Sequence, residues 1–566
     1  MRWFLLNPDQ NTVSSVKKAF RTSEVIARVL ANRKILNPNL ARPFFTPNLD
    51  MLHNPYLMQD MDKAVERVLT NINSGKPIMV FGDYDVDGTT GAAALYLAFQ
   101  KFGADVTYYI PDREKEGYGL SYHGIEVAKD IGIDLIITCD CGINAFVQVD
   151  FANEQNIDII ITDHHTTDTE LPKAHAILNP KREDCEYPFK GLCGGGVAFK
   201  LITAIGNELK IPLTDYEEII PLITLGTAAD VVPIKDENRV IVHHGLNILE
   251  NLEKPGLKTL LELAGLKGHI SVEQLVFSIA PRINAAGRIG DANRAVELLV
   301  TDDQDKARLL AKELDNENKR RQIIQQAVVD EALLKVNAEA DLKNENALVL
   351  ANAGWHPGVV GIVASKIKEE FNRPTIIIAL ENGSGKGSAR SVAGFDLYEA
   401  LTACKTHLDD YGGHPMAAGL TLSNKKLEDF KKAFINFANE RLTEENLQAT
   451  LTLDSEIALQ DITPCFMEFL DKLSPYGPGN MRPKFAIRNA EIAGAPKVIG
   501  KTGEHIRFKI RQGLKSCSAV GFGLSNKYEM LITGQPVDIA CVVETNEWQG
   551  NTSIQMNVRD IKRAVM

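Results

Sequence analysis

Long hydrophobic runs are missing from this 566-residue chain. None reaches the roughly 18 residues that a membrane-crossing helix requires. The opening stretch MRWFLLNPDQ breaks its short apolar patch with Asn, Pro and Asp, so it lacks the apolar core of a signal peptide. Paired cysteines are missing as well. The eight cysteines stand at 139, 141, 185, 193, 404, 465, 517 and 541, and none forms a CxxC pair. Isolated thiols in so long a chain predict a reduced, cytoplasmic protein. Cys139-Asp140-Cys141 is the only close pair, and a zinc site there lacks a second Cys/His pair at ligand spacing. Repeats are absent too. With 44% hydrophobic and 24% charged residues, the composition excludes a disordered or fibrous chain and suits about three or four globular domains.

An overall positive charge is also lacking: the net charge is −12, which taken alone argues against a nucleic-acid partner. The charge is unevenly spread. Residues 481–566 hold 13 lysines and arginines against seven acids, a local charge of +6 that leaves −18 for the remainder. A basic module is joined to an acidic body.

The chain divides by pattern. Residues 1–60 form an irregular and helical lead-in, whose Pro-rich NPNLARPFFTPNLD is expected to wrap another domain. Over 61–300 the short apolar runs KPIMVFGDYD, ADVTYYIPDR, IDLIITCDCG and IDIIITDHH alternate with helical segments, which predicts an α/β fold with a doubly wound, mostly parallel sheet. Residues 301–340 are highly charged and, from Asp302 to Val336, hold no Gly or Pro, so they predict a long helical linker. A second α/β domain follows over 341–448, with strands in NALVLANA and PTIIIAL around the helix VVGIVASKIKEEF. Residues 449–566 read as short strands with frequent turns, an oligonucleotide-binding (OB) type β-barrel with Phe485, Phe508, Phe522 and Trp548 available for stacking on bases. A small β-domain that only braces the others is the alternative.

Acids and histidines recur where apolar runs stop. VFGDYDVDG carries Asp83, Asp85 and Asp87, LIITCDCG carries Asp140, IIITDHH carries Asp163, His164 and His165, and PLITLGTAADVVP carries Asp230. At the ends of parallel strands these groups would share one edge and form a concentrated negative pocket, where a phosphate ligand usually sits. Unpaired carboxylates would repel one another. Two divalent cations, Mn²⁺ or Mg²⁺, remove that cost and let the pocket hold a phosphate through the metals. A calcium loop is the alternative for the first cluster, but the distal Glu of that motif is absent.

DYDVDG, DCG, DHH and AAD, in this order, resemble the DHH phosphoesterase superfamily. GWHPGVVGIVASK (354–366), GKGSAR (385–390) and YGGHPMAAG (411–419) resemble its associated DHHA1 domain. SIAPRINAAGR (278–288) and the basic C-terminal β-domain narrow the resemblance to the RecJ family of single-strand-specific 5′→3′ exonucleases. That resemblance implies a two-metal exodeoxyribonuclease acting in DNA repair and recombination. Asp85 and Asp87 match its first metal motif, Asp140 a carboxylate bridging both ions, His164 and Asp230 further metal ligands. His165 would stand near the scissile phosphate, with Asp163 orienting the histidines. The superfamily's pyrophosphatase branch has a His four residues before its first ligand. Here that position is Phe81, which leaves one ion with fewer ligands unless Asp83 compensates. Ser388, Arg390 and His414, in two Gly-rich turns, together with Arg113, would hold a terminal 5′-phosphate. Arg282, Asn284 and Arg288 would line the nucleic-acid path or form salt bridges, and Trp355 and His356 would stack on a base unless Trp355 is core. The implied partners are single-stranded DNA with a 5′ end, a single-strand-binding protein and a helicase. Two other functions stay open: a phosphoesterase of short oligonucleotides or cyclic dinucleotides, and a non-catalytic DNA-binding scaffold.

Overall fold

The structure, a computed structural model, describes residues 1–113, 115–167, 170–548 and 551–564, without the side chains of residues 289, 339, 547, 548 and 551. The chain forms two compact units. One holds Trp3–Ala280, Val296–Ala307 and Leu451–Met566, and the other Pro281–Ala295 and Arg308–Thr450 with the first two residues. Among the described residues no helix is long and apolar enough to cross a membrane.

The first unit is built on five parallel strands, β1 (Ile78–Gly82), β2 (Val106–Tyr109), β3 (Leu135–Cys139), β4 (Asp158–Thr162) and β5 (Ala176–Leu178), in the order β2-β1-β3-β4-β5. The runs IMVFG, LIITC and all but the first residue of DIIIT are fully buried, as a parallel sheet covered on both faces requires. The strand order reverses between β1 and β3, and the crevice outside their carboxyl ends is where such sheets bind ligands. Helices α1 (Val86–Lys101), α2 (Gly194–Glu208) and α3 (Ile220–Ala229) pack against one another in this unit. The third of these helices replaces an expected strand. The run IPLITLGTAA is apolar without alternation because it is a helix buried on nearly every side.

The longest segment of the second unit begins within a single 36-residue helix, α4 (Gln304–Glu339). Its sheet contains β6 (Leu348–Asn352), β7 (Thr375–Glu381), β8 (Ser384–Arg390), β9 (Asp410–His414) and β10 (Ala417–Ser423), with helix α5 (Val360–Phe371) between β6 and β7. The order is β9-β10-β8-β7-β6, and only the β6–β7 pair is parallel. The segments GKGSAR and YGGH are strands, not the Gly-rich turns expected of them. Gly385 and Gly387 fall on the buried face of β8, where a Cβ would come within 2.8–3.0 Å of Ile378. Trp355 is 4% exposed and donates to Glu331 at 2.8 Å, so it belongs to the core of this unit and is unavailable to a base.

The C-terminal strands β11 (Phe485–Ile492), β12 (His505–Gln512), β13 (Lys515–Gly521), β14 (Val537–Trp548) and β15 (Asn551–Arg563) run β11-β14-β15-β13-β12. The pairs Glu491↔Arg511 and Ile492↔Ile510 join β12 back to β11 and close a five-stranded barrel. Phe485 and Phe508 fill its interior, so of the four aromatics expected to stack only Phe522 is exposed; the Trp548 side chain lies outside the described residues. The barrel core continues into the N-terminal helices through Val13, Val16, Ile26 and Leu30, and Phe44 and Phe45 of the Pro-rich segment pack on it. The buried Arg239 guanidinium donates to the carbonyls of Phe44, Ser474 and Pro475, tying the lead-in and the barrel approach to the helices of the parallel-sheet domain.

Candidate active site

Asp83 follows β1, Asp85 caps α1 by accepting the Gly88 N–H at 3.1 Å, and Asp87 lies in the first turn of that helix. Asp140 follows β3 with φ +63°, and Asp163, His164 and His165 follow β4. These segments meet at the point where the strand order reverses. Asp230 arrives from another direction, at the C-terminal end of α3. Potential ligand atoms gather in three overlapping sets, Asp83/Asp85/Asp140, Asp87/His164/Asp230 and Asp140/His164/His165, with the atoms of each set within 4.8 Å of one another. His164 Nε2 stands 3.1 Å from Asp140 Oδ1 and 3.4 Å from Asp230 Oδ2. Phe81 is buried and stacks on Tyr109 at 5.3 Å, while Asp83 joins the first set.

The electrostatics of this pocket favour cations. Asp83 Oδ1, Asp140 Oδ1, Asp230 Oδ2 and both ring nitrogens of His164 are buried without a hydrogen-bond partner among the described residues, a costly state for polar groups. Burial, reinforced by neighbouring carboxylates, pushes Asp83 and Asp140 well above the usual carboxylate range, Asp230 up to about 8 and Asp87 up to about 6. Burial drives His164 down to about 3, so its imidazole is neutral and able to bind a metal. Hard carboxylate oxygens and a neutral imidazole are the donor set for Mn²⁺ or Mg²⁺. The thiols of Cys139 and Cys141 are buried and join none of the three sets.

Asp163 serves a different purpose. It accepts the backbone N–H groups of Ile143, His164 and His165 and holds His165 Nδ1 at 2.7 Å. Burial opposes its charge, but the bond from His165 outweighs that and lowers its pKa. Burial also opposes charge on His165, and the Asp163 partner outweighs it again, raising the imidazole's pKa. Asp163 thus orients the His165 ring alone; the His164 ring makes no bond to it.

Asp87 has partners that sequence reasoning missed. Its carboxylate accepts the N–H groups of Gly194 and Gly195 at 2.6 and 3.1 Å, at the positive end of α2. A Cβ on Gly194 would lie 2.5 Å from Asp140 Cβ, and one on Gly226 would lie 2.5 Å from Asp87 Oδ1. The signal was the run CGGG opening an apolar helix.

The remaining predicted residues divide between the units. Arg113 lies in the first unit, with its guanidinium 5.1 Å from the Tyr84 ring centroid. In the second unit, Arg390 donates to Ser388 Oγ at 3.0 Å, to Ser365 Oγ at 3.2 Å and to the Ala389 carbonyl at 2.8 Å. Among the described residues it meets no carboxylate, and burial lowers its pKa. Gly361, in the first turn of α5, leaves the space beside Ser388 and Arg390 open. His414 is exposed at the end of β9. Arg282 is in an ion pair with the buried Asp315 at 2.9 Å, and Arg288 donates to the Gly358 carbonyl, so both hold their own unit together. His356 is half-buried and accepts the Gly358 N–H.

Three family models match the chain: the DHH family N-terminal domain over residues 77–227, the DHHA1 domain over 344–441 and the RecJ OB domain over 453–560. The chain is 38% identical to the single-stranded-DNA-specific exonuclease RecJ of Bacillus subtilis, over 99% of this chain and 70% of that protein. It is 34% identical to the Escherichia coli RecJ exonuclease, over 89% and 90% of the two chains. The crystal structure of Thermus thermophilus RecJ in complex with Mn²⁺ superposes with a TM-score of 0.85 at 29% identity, covering 100% of this chain and 80% of that one.

Proposed function

Because this chain belongs to the RecJ family of single-stranded-DNA-specific exonucleases in the DHH superfamily, we propose that it is a metal-dependent exonuclease releasing mononucleotides from the 5′ end of single-stranded DNA. The observation that carries the reading is the set of buried polar atoms on Asp83, Asp140, His164 and Asp230 that have no partner among the described residues. Two divalent cations, Mn²⁺ or Mg²⁺, fit that donor set, and when bound they neutralise phosphoryl charge and lower the pKa of water.

The chain's own groups divide the work. Asp140 belongs to two of the ligand sets and His164 to two, so these residues would couple the two ions. Asp83 and Asp85 complete one set with Asp140, and Asp87 and Asp230 complete another with His164, with Asp83 standing in where Phe81 offers no ligand. His165, oriented by Asp163 and more readily protonated beside it, donates to a phosphoryl oxygen and stabilises its growing negative charge. Arg390 and Ser388 supply donors for the terminal 5′-phosphate, which would fix polarity, and His414 of the same unit would add to them. Arg282 and Arg288 would line the strand's path only at the expense of their present partners. The protein would work in the cytoplasm beside a single-strand-binding protein and a helicase, in keeping with its eight free cysteines.

The test is digestion of single strands labelled at either end, with Mn²⁺ or with EDTA. A 5′ label should appear at once as mononucleotide, a 3′ label should yield a descending ladder, and EDTA should stop both. Internal cuts, or cleavage confined to di- and trinucleotides, would overturn the reading.

A further inference from the structure

One residue beyond Asp230, and within the same unit, the surface opens into a groove of about 410 Å³. Its apolar surface comes from Val231, Phe277 and Met481, which are 65%, 75% and 58% exposed. Val231 has φ +62°, an unusual conformation for a β-branched residue. Phe277 sits in a single π turn, Leu275–Ile279, a feature frequent at functional sites. Arg482, Lys484 and Arg559 surround this surface, the last from barrel strand β15.

Three large exposed apolar side chains beside a reaction centre mark a binding surface. The charges around them select the ligand. Against three cations stand only two acids among the described residues, Glu273, 4.0 Å from Arg482, and Glu544, whose pKa burial raises. The rim is therefore positive, and the Arg482 guanidinium also lies 4.7 Å from the Tyr476 ring centroid. A flat apolar group flanked by negative charge matches this arrangement, and the groove has the size of a small-ligand site. Base stacking is indifferent to sequence, as an enzyme that degrades any strand requires.

We infer that this groove binds an unpaired nucleotide of the substrate strand, on the uncut side of the reaction centre. Its base lies on Phe277, Val231 and Met481, and its flanking phosphates meet Arg482, Lys484 and Arg559. The inference rests on the exonuclease reading but is separable from it. In the full chain, Phe277→Ala should raise KM for a long 5′-phosphorylated strand about tenfold. KM and kcat for a 5′-phosphorylated dinucleotide whose second position is abasic, which has no base to place in the groove, should not change, and Phe277→Trp should keep the parent's KM. A single abasic position in the long strand should cost the parent a similar factor and cost Phe277→Ala nothing further. An unchanged KM on the long strand, an equal loss on the dinucleotide, or the same abasic penalty in parent and variant would overturn the inference. If the parent protein cut neither substrate in Mn²⁺, the exonuclease reading itself would fall.

Discussion

The two units each contain a site short of the opposite charge, and they lack it in different ways. In the first, several carboxylates and a neutral imidazole converge with atoms that meet no donor among the described residues. In the second, Arg390 is half-buried among hydroxyls and a carbonyl and meets no carboxylate among the described residues. A fold stabilises an isolated buried charge poorly, so such positions mark where a ligand completes the structure. One site calls for cations and the other for an anion. A phosphodiester strand with divalent ions brings both, whereas a purely structural role would leave both uncompensated.

Asp140→Asn should break the first half of the comparison with the largest effect. Removing the carboxylate common to two ligand sets should lower kcat by at least about 10³-fold, because the ions stabilise much of the transition-state charge. Binding of single strands should persist, and equal loss of binding would point to misfolding. Without metal the same change should raise Tm by roughly 2–4 °C, since it relieves repulsion among buried acids. The pH trend has a definite sign. The Asp230 carboxyl lies near 3.8 when unfolded and is pushed up to about 8 when folded. The native state therefore binds the extra proton, and metal-free stability falls as pH rises through that window. Calorimetry with EDTA should record this fall, and Mn²⁺ should shrink it. A Tm that did not respond to Mn²⁺ would remove the reason for grouping these acids.

Arg390→Met tests the second half, with a smaller effect. Losing charge-assisted bonds to a terminal phosphate should weaken binding of a 5′-phosphorylated strand about 10- to 100-fold. A strand ending in a 5′-hydroxyl should bind as before. Tm should not fall, because burial disfavours the cation when no anion is bound. Equal weakening on both strands would assign Arg390 to the body of the strand instead of its end.

The pattern of residues disclosed the first site better than the second. The runs before Asp83, Asp140 and Asp163 are short, apolar and unbroken, and in parallel strands their ends must share an edge. Asp230 resembled them only because a helix buried all round shows no period. In β8 the glycines alternate with polar residues, since Ile378 and Leu420 leave no room for a Cβ. Read as punctuation, such glycines suggest turns; read with period two, they give a strand. Arg282 pairs with an acid 33 residues away, which no local pattern discloses. The Gly194–Asp87 contact spans 107 residues, yet its glycine run was visible.

The barrel offers the mildest test, and its alternation shows where to apply it. In HIRFKI, Ile506, Phe508 and Ile510 point into the barrel core while Arg507 and Lys509 are exposed. This outward face is where the basic segment meets solvent. Cutting the chain near Thr450 would be a poor probe, because the barrel shares its core with the N-terminal helices. Neutralising charge leaves that core intact. If Arg507 and Lys509 each contact one phosphate, Arg507→Gln with Lys509→Gln should flatten the slope of log K against log salt by about 1.4. Arg511 is already paired with Glu491 at 2.7 Å, so Arg511→Gln should leave the slope nearly unchanged. A titration in which all three behaved alike would mean that the barrel's general charge attracts the strand and its face does not hold it.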